Sequence, residues 1–360
     1  MMTLTRKPTQ PTAPANIVGR AWRRIKGRFY GNNFLLLITV ALFIAIYAVG
    51  MIVYQDKNFG SLNSFFDMLN SNPGLIVIAA GMAMVMISGG IDISVGSQVA
   101  LYCMMFAYFI EKQGLSVSTM IAVVLASGLV FGLVQGVLVA YFKIQPFIVT
   151  LAGMFLARGL TAMISDQTID ITNRDFMKLA TTKITFSFGG YYNAAGVYQR
   201  PFIYLSVVLA LLGLLLVWLV MTWTRCGRNV YALGDSEPSA RLMGVDVNRT
   251  KLTVYVFNGL LTAFGGFLFC LFSTGGAVEK AQGFEIQAIA SSVIGGTMLT
   301  GGVGNILGSF VGMLVQTTIT KFINFNGTLA NGWSSVVLAL IMSFFIILQS
   351  VFAYVRSQRR

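Results

Sequence analysis

Residues 34–54 read FLLLITVALFIAIYAVGMIVY, a run without any charged side chain. A helix needs roughly 20 apolar residues to cross a hydrocarbon core about 30 Å thick, so this run predicts a transmembrane helix. The whole chain has the same character, because 56% of its 360 residues are hydrophobic, only 10% are charged and the mean hydropathy is +0.76. Soluble domains carry roughly 25% charged residues. The composition therefore predicts a membrane protein.

Further apolar runs follow along the chain, and together they predict an all-α polytopic membrane protein with about ten transmembrane helices. The second, third, eighth and ninth runs are short or interrupted by glycine, so we expect short or broken helices there. The predicted spans are 34–54, 73–88, 93–110, 118–142, 146–165, 201–222, 252–273, 286–299, 303–323 and 333–354.

The lysines and arginines predict how these helices are oriented, because short cytoplasmic loops carry an excess of cations. The leader 1–33 contains no acid and is assigned to the cytoplasm, and alternation then places the tail 355–360 on the same side. With this orientation the net charge of +13 falls on the cytoplasmic side and the outer loops are neutral. The cations assigned to the cytoplasm are Arg6, Lys7, Arg20, Arg23, Arg24, Lys26, Arg28, Lys143, Arg225, Arg228, Arg241, Arg249, Lys251, Arg356, Arg359 and Arg360.

Two loops of the transmembrane domain 34–354 are long enough to form structure of their own. Residues 166–200 are predicted to pack on the outer face, and residues 223–251 form the largest cytoplasmic loop. The charged residues between the seventh and eighth spans are assigned to a short outer loop. They are Glu279, Lys280 and Glu285.

Several classes of enzyme are excluded by residues that the chain lacks. Histidine is absent, which removes hydrolase triads and the commonest metal ligand. Cys103, Cys226 and Cys270 are widely spaced, so no CxxC metal or redox motif exists. The chain also contains no GxxxxGK[ST] loop for binding ATP. We therefore expect neither a catalytic site nor a bound cofactor or metal, and any energy for transport would come from a partner or a gradient.

The first glycine-rich break reads ISGGIDISVGSQ over residues 87–98. Backbone freed by such a break cannot face lipid and usually lies against protein or a water-filled path. Gly89, Gly90, Asp92 and Ser94 are therefore candidate gate residues. The plainer interpretation of Asp92 is a helix cap whose carboxylate accepts hydrogen bonds from the amides that follow it, and this does not exclude a place near a gate.

The second break reads IGGTMLTGGVGN over residues 294–305. Gly295, Gly296 and Thr297 are its candidate gate residues. Both breaks follow a predicted helix that runs from the outside to the inside, which indicates a weak parallel internal repeat.

Two ladders of glycine at four-residue spacing lie in the fourth and ninth spans. Each ladder occupies one helix face, where another backbone can approach closely. The ladders predict packing within the chain, and a subunit interface is the alternative. They consist of Gly128, Gly132 and Gly136, and of Gly304, Gly308 and Gly312.

Arg158 lies about two thirds of the way along the fifth predicted span. An intramembrane arginine is costly unless it faces a polar cavity or a partner, so a place on the translocation path is the functional hypothesis. Snorkelling towards the outer surface is the alternative.

The cytoplasmic stretch from Ser236 to Gly244 has the pattern of a short helix. Ser236 suits the cap, Glu237 and Pro238 suit the first turn, and Gly244 suits the stop. The apolar or small residues of this helix would be exposed and available for docking. They are Ala240, Leu242 and Met243. The alternative is a basic turn that only follows the charge rule for cytoplasmic loops.

Three motifs in order resemble the ribose-type sugar permeases of bacterial ABC importers. They are GGIDISVG at 89–96, the RCGRNVYALG loop at 225–234 that continues to Gly244-Val245, and IGGTMLTGGVG at 294–304. Within this family TLAGM at 150–154, Arg158-Gly159 and INFNGTL at 323–329 look most like the galactofuranose branch.

The resemblance implies a permease subunit in the bacterial inner membrane that carries a galactofuranose-like or ribose-like monosaccharide. It further implies a second permease subunit, identical or related, a periplasmic sugar-binding protein, and two cytoplasmic ATPases that bind ATP and Mg²⁺. By the same analogy residues 234–244 form a coupling helix that enters the ATPase. The coupling residues are then Gly234, Asp235, Ser236, Ala240 and Gly244.

Two other classes of function remain as alternatives. A secondary transporter driven by protons or sodium would need titratable groups inside the membrane, and only Asp92 and Arg158 qualify. A membrane enzyme has little support in a chain without histidine or clustered intramembrane carboxylates. Nucleic-acid binding is not expected, because the basic charge is explained by orientation in the membrane.

Overall fold

The computed structural model describes residues 33–192, 198–327 and 332–357. The predicted leader, apart from Asn33, lies outside the described residues, as do residues 358–360 of the predicted tail. The sides of the membrane on which both termini lie therefore stay predictions. The described chain is mostly helical, which confirms the predicted class of a helical membrane protein.

Fourteen α-helices make up most of the described residues. In chain order they are α1 (Asn33–Val53), α2 (Leu62–Asn70), α3 (Pro73–Ile87), α4 (Val95–Glu111), α5 (Val117–Ala140), α6 (Pro146–Ile164), α7 (Arg174–Thr181), α8 (Leu205–Trp223), α9 (Arg225–Asp235), α10 (Glu237–Leu242), α11 (Val247–Ser273), α12 (Phe284–Ile294), α13 (Ile306–Asn326) and α14 (Gly332–Ser357).

Each of the ten predicted spans coincides with one of these helices, but the helices differ in their ability to cross a membrane. Seven described helices are long and apolar enough to cross alone, and an eighth span would result if α2 and α3, which meet at a bend of 63°, are counted together. The helices α4 and α12 are shorter. All residues of α3 are buried, so this helix lies at the centre of the bundle.

Short antiparallel strands mark one side of the bundle, which we call the hairpin side. The pairs are β1 (Ile169–Asp170) with β6 (Gly275–Gly276), β2 (Lys183–Thr185) with β5 (Phe202–Tyr204), and β3 (Tyr191–Tyr192) with β4 (Tyr198–Gln199). Helix α8 runs from β5 to α9, and α11 returns from α10 to β6. The helices α9 and α10 therefore lie at the opposite end, which we call the basic side.

The first glycine ladder packs α5 against α11 within the chain. A Cβ atom on Gly132 would lie 2.5 Å from the carbonyl oxygen of Tyr255, and Gly128 and Gly136 face Gly259 and Leu252 in the same way. The two backbones approach this closely because glycine occupies the α5 side of the contact. The prediction of packing within the chain is confirmed.

The second ladder also packs within the chain, with α13 against α12 and the loop that follows α12. Gly308 lies against the backbone of Gly295, Gly312 lies against Ser291, and a Cβ atom on Gly304 would lie 2.8 Å from the hydroxyl oxygen of Thr297. The second break is therefore held on the small-residue face of α13.

The predicted outer loop before the eighth span packs into the bundle along α4. A Cβ atom on Gly276 would lie 2.7 Å from the Cα atom of Met104, and one on Gly96 would lie 2.8 Å from the carbonyl oxygen of Ala281. The segment from Gly275 to Gly283 therefore runs along α4 into the bundle, and we call it the re-entrant segment. Because this segment covers part of the depth, α12 has only 11 residues, about 16 Å of helix.

Candidate functional site

The two glycine-rich breaks meet at the basic side of the bundle. The amide of Gly302 donates a hydrogen bond of 2.9 Å to the carbonyl oxygen of Ile87. A Cβ atom on Gly301 would lie 3.0 Å from the Cα atom of Gly89. Gly89, Gly301 and Gly302 have φ values of +85°, +86° and +74°, which glycine adopts without the penalty paid by other residues. The sequence motifs thus lie in contact although about 200 residues separate them.

The end of α9 completes this contact. A Cβ atom on Gly234 would collide with the Ile87 carbonyl oxygen and the Gly302 amide. The hydroxyl of Tyr231, one turn earlier, donates a hydrogen bond of 3.0 Å to the carbonyl oxygen of Gly304. We call the contact of residues 87–90, 301–304 and 233–235 the junction. It brings a predicted coupling residue, Gly234, onto the predicted gate residues of the first break.

The other end of the second break is held by helices from both ends of the chain. The side-chain amide of Gln349 in α14 donates hydrogen bonds to the carbonyl oxygens of Val293, at 2.9 Å, and Thr297, at 3.3 Å. The Thr39 hydroxyl in α1 donates to the carbonyl oxygen of Ile294. The buried Thr297 hydroxyl has no hydrogen-bond partner among the described residues.

The predicted gate glycines of the second break lie in close contacts with α13 and α1. Gly295 contacts the backbone of Gly308, and a Cβ atom on Gly296, whose φ is +90°, would lie 2.7 Å from the Cβ atom of Leu35. Sequence reasoning did not identify Gln349 or Thr39. Both are polar residues inside long apolar runs, and this position is the sequence feature that could have identified them.

Asp92 lies at the centre of a buried polar network. Its carboxylate accepts a hydrogen bond of 2.9 Å from the Ser94 amide and a second from the Ser94 hydroxyl. The side-chain amide of Asn258 in α11 donates another, at 2.7 Å. The predicted bond from the Ser94 amide is present, but Asp92 is not the cap of α4, because Ser94 occupies that position. The carboxylate also fastens the first break to α11, which the sequence did not reveal.

Glutamine side chains extend the network to two further helices. Gln98 in α4 and Gln135 in α5 donate hydrogen bonds of 2.7 and 2.8 Å to the Ser94 hydroxyl. Tyr102 donates to Gln98 at 2.9 Å. Each of these side chains is buried, and buried polar groups in a bundle are stable only when they are paired. The network therefore positions the residues between α3 and α4.

A cavity of about 520 Å³ opens beside the junction on the basic side. Its lining comes from the first break, the turn between α5 and α6, the end of α9 and the start of α11. Gly90, Lys143, Asp235, Glu237, Lys251 and Tyr255 are among its lining residues. The cavity thus reaches from charged groups at the basic side to the glycines of the first break.

Arg158 does not contact the other predicted gate residues. Its guanidinium donates hydrogen bonds to the carbonyl oxygens of Val278 and, at 3.2 Å, of Lys280. Both acceptors belong to the re-entrant segment. The side chain is half-buried, and any role on the translocation path stays a prediction.

The predicted coupling helix divides into the end of one helix and the whole of another. Gly234 and Asp235 end α9, whereas α10 begins after Ser236, whose hydroxyl caps it by accepting from the Ser239 amide at 3.4 Å. Gly244, with φ of +80°, ends the turn as predicted. The bend at Ser236 separates the two parts because its φ and ψ are extended.

The predicted exposure of Ala240 is wrong, since this residue is fully buried. The other apolar residues of the segment are exposed, Leu242 at 91% and Met243 at 68%. Ala240 faces inward because its carbonyl accepts the Val245 amide and the turn folds back over it. The surface available for docking is therefore Leu242 and Met243.

Glu237 connects α10 to α11 by ion pairs. Its carboxylate lies 2.7 Å from the amine of Lys251 and 2.8 Å from the guanidinium of Arg241. The hydrogen bond from Lys251 is the main cause that lowers the pKa of Glu237, against the opposing effect of partial burial. The carboxylate therefore stays charged at neutral pH and holds the short helix against the start of α11.

Comparison with known proteins gives a match over most of the chain. Residues 64–346 match a family described as "Branched-chain amino acid transport system / permease component". The inner membrane ABC transporter permease protein YjfF of Escherichia coli K12 is 35% identical over 318 residues, which cover 88% of this chain and 92% of YjfF. No solved structure matches the chain.

Two import permeases are similarly related. The ribose import permease protein RbsC of Escherichia coli K12 is 33% identical over 307 residues, 84% of this chain and 91% of RbsC. The fructose import permease protein FruG of Bifidobacterium longum is 32% identical over 320 residues, 87% of this chain and 89% of FruG. The chain therefore belongs to this family of transport permease components, in its group of ribose-type sugar ABC permeases.

Proposed function

We propose that this chain is the permease subunit of a bacterial inner-membrane importer that moves a monosaccharide, driven by ATP hydrolysis in partner subunits. One observation carries the proposal. The exposed residues Leu242 and Met243 lie at the end of α10, a helix that only Ser236 separates from the junction. A partner bound to α10 would therefore act directly on the segments that connect the helix bundles.

The mechanism requires no covalent chemistry from this chain. ATP and Mg²⁺ would be held by two ATPases on the basic side, which we assign to the cytoplasm. Their closure would shift α10, and the shift would pass through Gly234 to both breaks. Rigid-body movement of the bundles would then open the path alternately to the two sides. Gly89, Gly90, Asp92, Ser94, Gly295, Gly296 and Thr297 are the proposed gate residues.

The partners and the substrate follow from the same family. A second permease copy or a related chain, and a periplasmic binding protein that delivers the sugar, would complete the importer. RbsC and FruG are named for ribose and fructose import, which supports a monosaccharide. A galactofuranose-like or ribose-like substrate remains our proposal. The comparisons support this function and not a transporter driven by an ion gradient.

The energy source tests the proposed function. Uptake of radiolabelled monosaccharide should continue when an ionophore collapses the ion gradients while ATP is maintained. It should cease when the phosphate-loop lysine of the partner ATPase is replaced. Uptake that follows the gradient and ignores the ATPase variant would contradict an ABC importer.

Leu242→Asp should detach the ATPase without disturbing the fold. The side chain is 91% exposed, so the change leaves the packing of the chain intact, but it places a charge in the proposed apolar contact. Loss of such an anchor weakens binding by about tenfold or more. Co-purification of the ATPase from detergent measures the effect.

Leu115→Asp is the matched control, because Leu115 is an exposed leucine on the hairpin side. This variant should retain the ATPase. Ala240→Glu is a poorer test, since Ala240 is buried and the change would disrupt α10 itself. Equal recovery of the ATPase with both leucine variants would exclude α10 as the docking site.

A further inference from the structure

The re-entrant segment reaches deep into the bundle. The outer end of α4 is marked by Glu111, whose carboxylate accepts a hydrogen bond of 2.6 Å from the Asn173 amide in the loop of the hairpin side. The other end of the segment, at Ala281, contacts Gly96. From Gly96 to Glu111 the helix rises about 22 Å. Ala281 therefore lies about 22 Å along α4 from the level of Glu111 and about 12 Å from the level of Met104, where β6 packs.

The segment is not helical over this depth. Gly276 contacts the middle of α4 and Ala281 contacts its first turn. Between them the backbone forms turns, in which the Lys280 amide donates a hydrogen bond of 3.1 Å to the Ala277 carbonyl oxygen. A lipid environment cannot satisfy the amides and carbonyls of such backbone. Irregular backbone at this depth is stable only where it is buried in protein or lines water.

Two polar side chains of the segment point away from the bundle. Glu279 and Gln282 are both exposed, whereas Ala281 between them is buried against α4. Lys280 turns back, and its amine donates to the Ser273 carbonyl oxygen at 3.5 Å. A carboxylate and an amide exposed to lipid at this depth would be strongly unfavourable. Water or a polar protein surface must therefore surround them.

Further polar groups lie around the segment. The guanidinium of Arg158 binds the carbonyl oxygens of Val278 and Lys280 and so fixes the backbone on both sides of Glu279. One carboxylate oxygen of Glu285 is buried beside Gly96 and has no hydrogen-bond partner among the described residues. The segment is thus a fixed, polar structure inside the membrane region.

We infer that the re-entrant segment lines the water-filled path of the permease and that Glu279 and Gln282 form a weak contact site for the hydroxyl groups of a neutral sugar. A carboxylate accepts hydrogen bonds from hydroxyls, and an amide both donates and accepts them, so the pair suits a polyhydroxylated solute. Arg158 is then a positioning residue. The sugar part of this inference rests on the proposed function, whereas the aqueous lining does not.

Cysteine accessibility tests the aqueous lining. Glu279→Cys and Gln282→Cys are made in a chain carrying Cys226→Ser, since Cys103 and Cys270 are buried. The assembled transporter in lipid nanodiscs is treated with a positively charged methanethiosulfonate reagent. Phe155→Cys is the matched control, because Phe155 is 66% exposed in the middle of α6 on a face suited to lipid. Leu115→Cys, at a position 40% exposed on the hairpin side, is the reference for contact with water.

The two segment cysteines should react at rates near that of Leu115→Cys. The charged reagent enters lipid poorly, so Phe155→Cys should react about 100-fold more slowly. Arg158→Leu, combined with Gln282→Cys, should change the reaction rate at that cysteine, because the backbone loses its anchor; Arg158→Lys should restore it in part. Rates at residues 279 and 282 that equal the Phe155→Cys rate would overturn the inference.

Uptake measurements test the sugar contact site independently of the proposed function. Gln282→Ala and Glu279→Gln should lower the rate of sugar uptake while the ATPase remains bound. If both variants transport normally although their cysteine counterparts react, the contact site is refuted and the aqueous lining stands. If the cysteines do not react in a transporter whose uptake requires ATP, the inference fails and the proposed function stands.

Discussion

Replacing Gly234 by alanine should abolish uptake, although the chain is still inserted in the membrane. The added Cβ atom would collide with the Ile87 carbonyl oxygen and the Gly302 amide. These are backbone atoms that pair with each other across the junction, so no flexible side chain can move aside. Overpacking of this kind costs about 1–3 kcal/mol or more. We expect the junction to separate, which would disconnect α10 from both breaks.

Gly159→Ala is the matched control, because no atom lies within 4 Å of the position of its added Cβ. This change lies in the middle of α6 and should leave uptake unaltered, since alanine is favoured over glycine in helices. Gly234→Asp should be at least as damaging as Gly234→Ala. Uptake and insertion are measured for all three variants in the same membranes. Normal uptake by Gly234→Ala would refute the role of the junction.

Asp92→Ala should lower the thermal stability of the purified chain more than any surface substitution. The change leaves the buried amide and hydroxyl of Ser94 and the side-chain amide of Asn258 without their acceptor. Each buried group left unpaired costs about 1–3 kcal/mol. Because Ser94 also receives Gln98 and Gln135, the loss should spread to α4 and α5. The unfolding midpoint in detergent is the measurement.

Asp92→Asn should lower the unfolding midpoint much less than Asp92→Ala. The comparison separates the contribution of hydrogen bonding from that of the negative charge. The new side chain keeps an oxygen that can accept from Ser94. Asn258 can rotate its amide, and its Oδ1 atom, which has no partner among the described residues, could then accept from the substituted side chain. Asp166→Ala controls for loss of a carboxylate at an exposed site. Equal midpoints for Asp92→Ala and Asp166→Ala would show that the network contributes little.

The long helices and their packing faces could be predicted from the sequence. Runs such as 118–142 exceed the thickness of a bilayer, and their hydropathy alone identifies them. The ladder from Gly128 to Gly136 lies along one face at a helical period, so close packing could also be predicted. What the ladder packs against, Gly259 and its neighbours in α11, depends on tertiary structure.

The half-length helix and the re-entrant segment could not be predicted in this way. Hydropathy measures whether a segment can lie in the membrane region but not whether it crosses it, so α12 and its following glycines were combined into the span 286–299. The assignment of Glu279 and Lys280 to the outer side follows from the alternation of the predicted spans. The guanidinium of Arg158 binds backbone carbonyl oxygens on both sides of Glu279. No local sequence pattern relates Arg158 to a segment so far along the chain.

The junction also lay beyond prediction, although each of its parts was identified. Gly89, Gly234 and Gly301 stand in three motifs that sequence reasoning treated as two gates and a docking loop. Their contact depends on α3, α9 and α12 ending at the same level of the bundle. The role of these glycines is visible only from the backbone atoms that surround them in the folded chain. The residues next to each glycine in the sequence do not identify those atoms.

Helix α11 has a mechanical consequence. It contains 27 residues, about 40 Å of helix, and it extends from the turn after α10 to the start of the re-entrant segment. Its contact with α5 is formed largely by backbone atoms at Gly128 and Gly132, so we expect the two helices to move together. A tilt of about 10° around its centre would move each end by about 3.5 Å in opposite directions. A shift imposed at the end beside α10 would thus displace the other end, beside the re-entrant segment, and Asn258 lies close to the centre of the rotation.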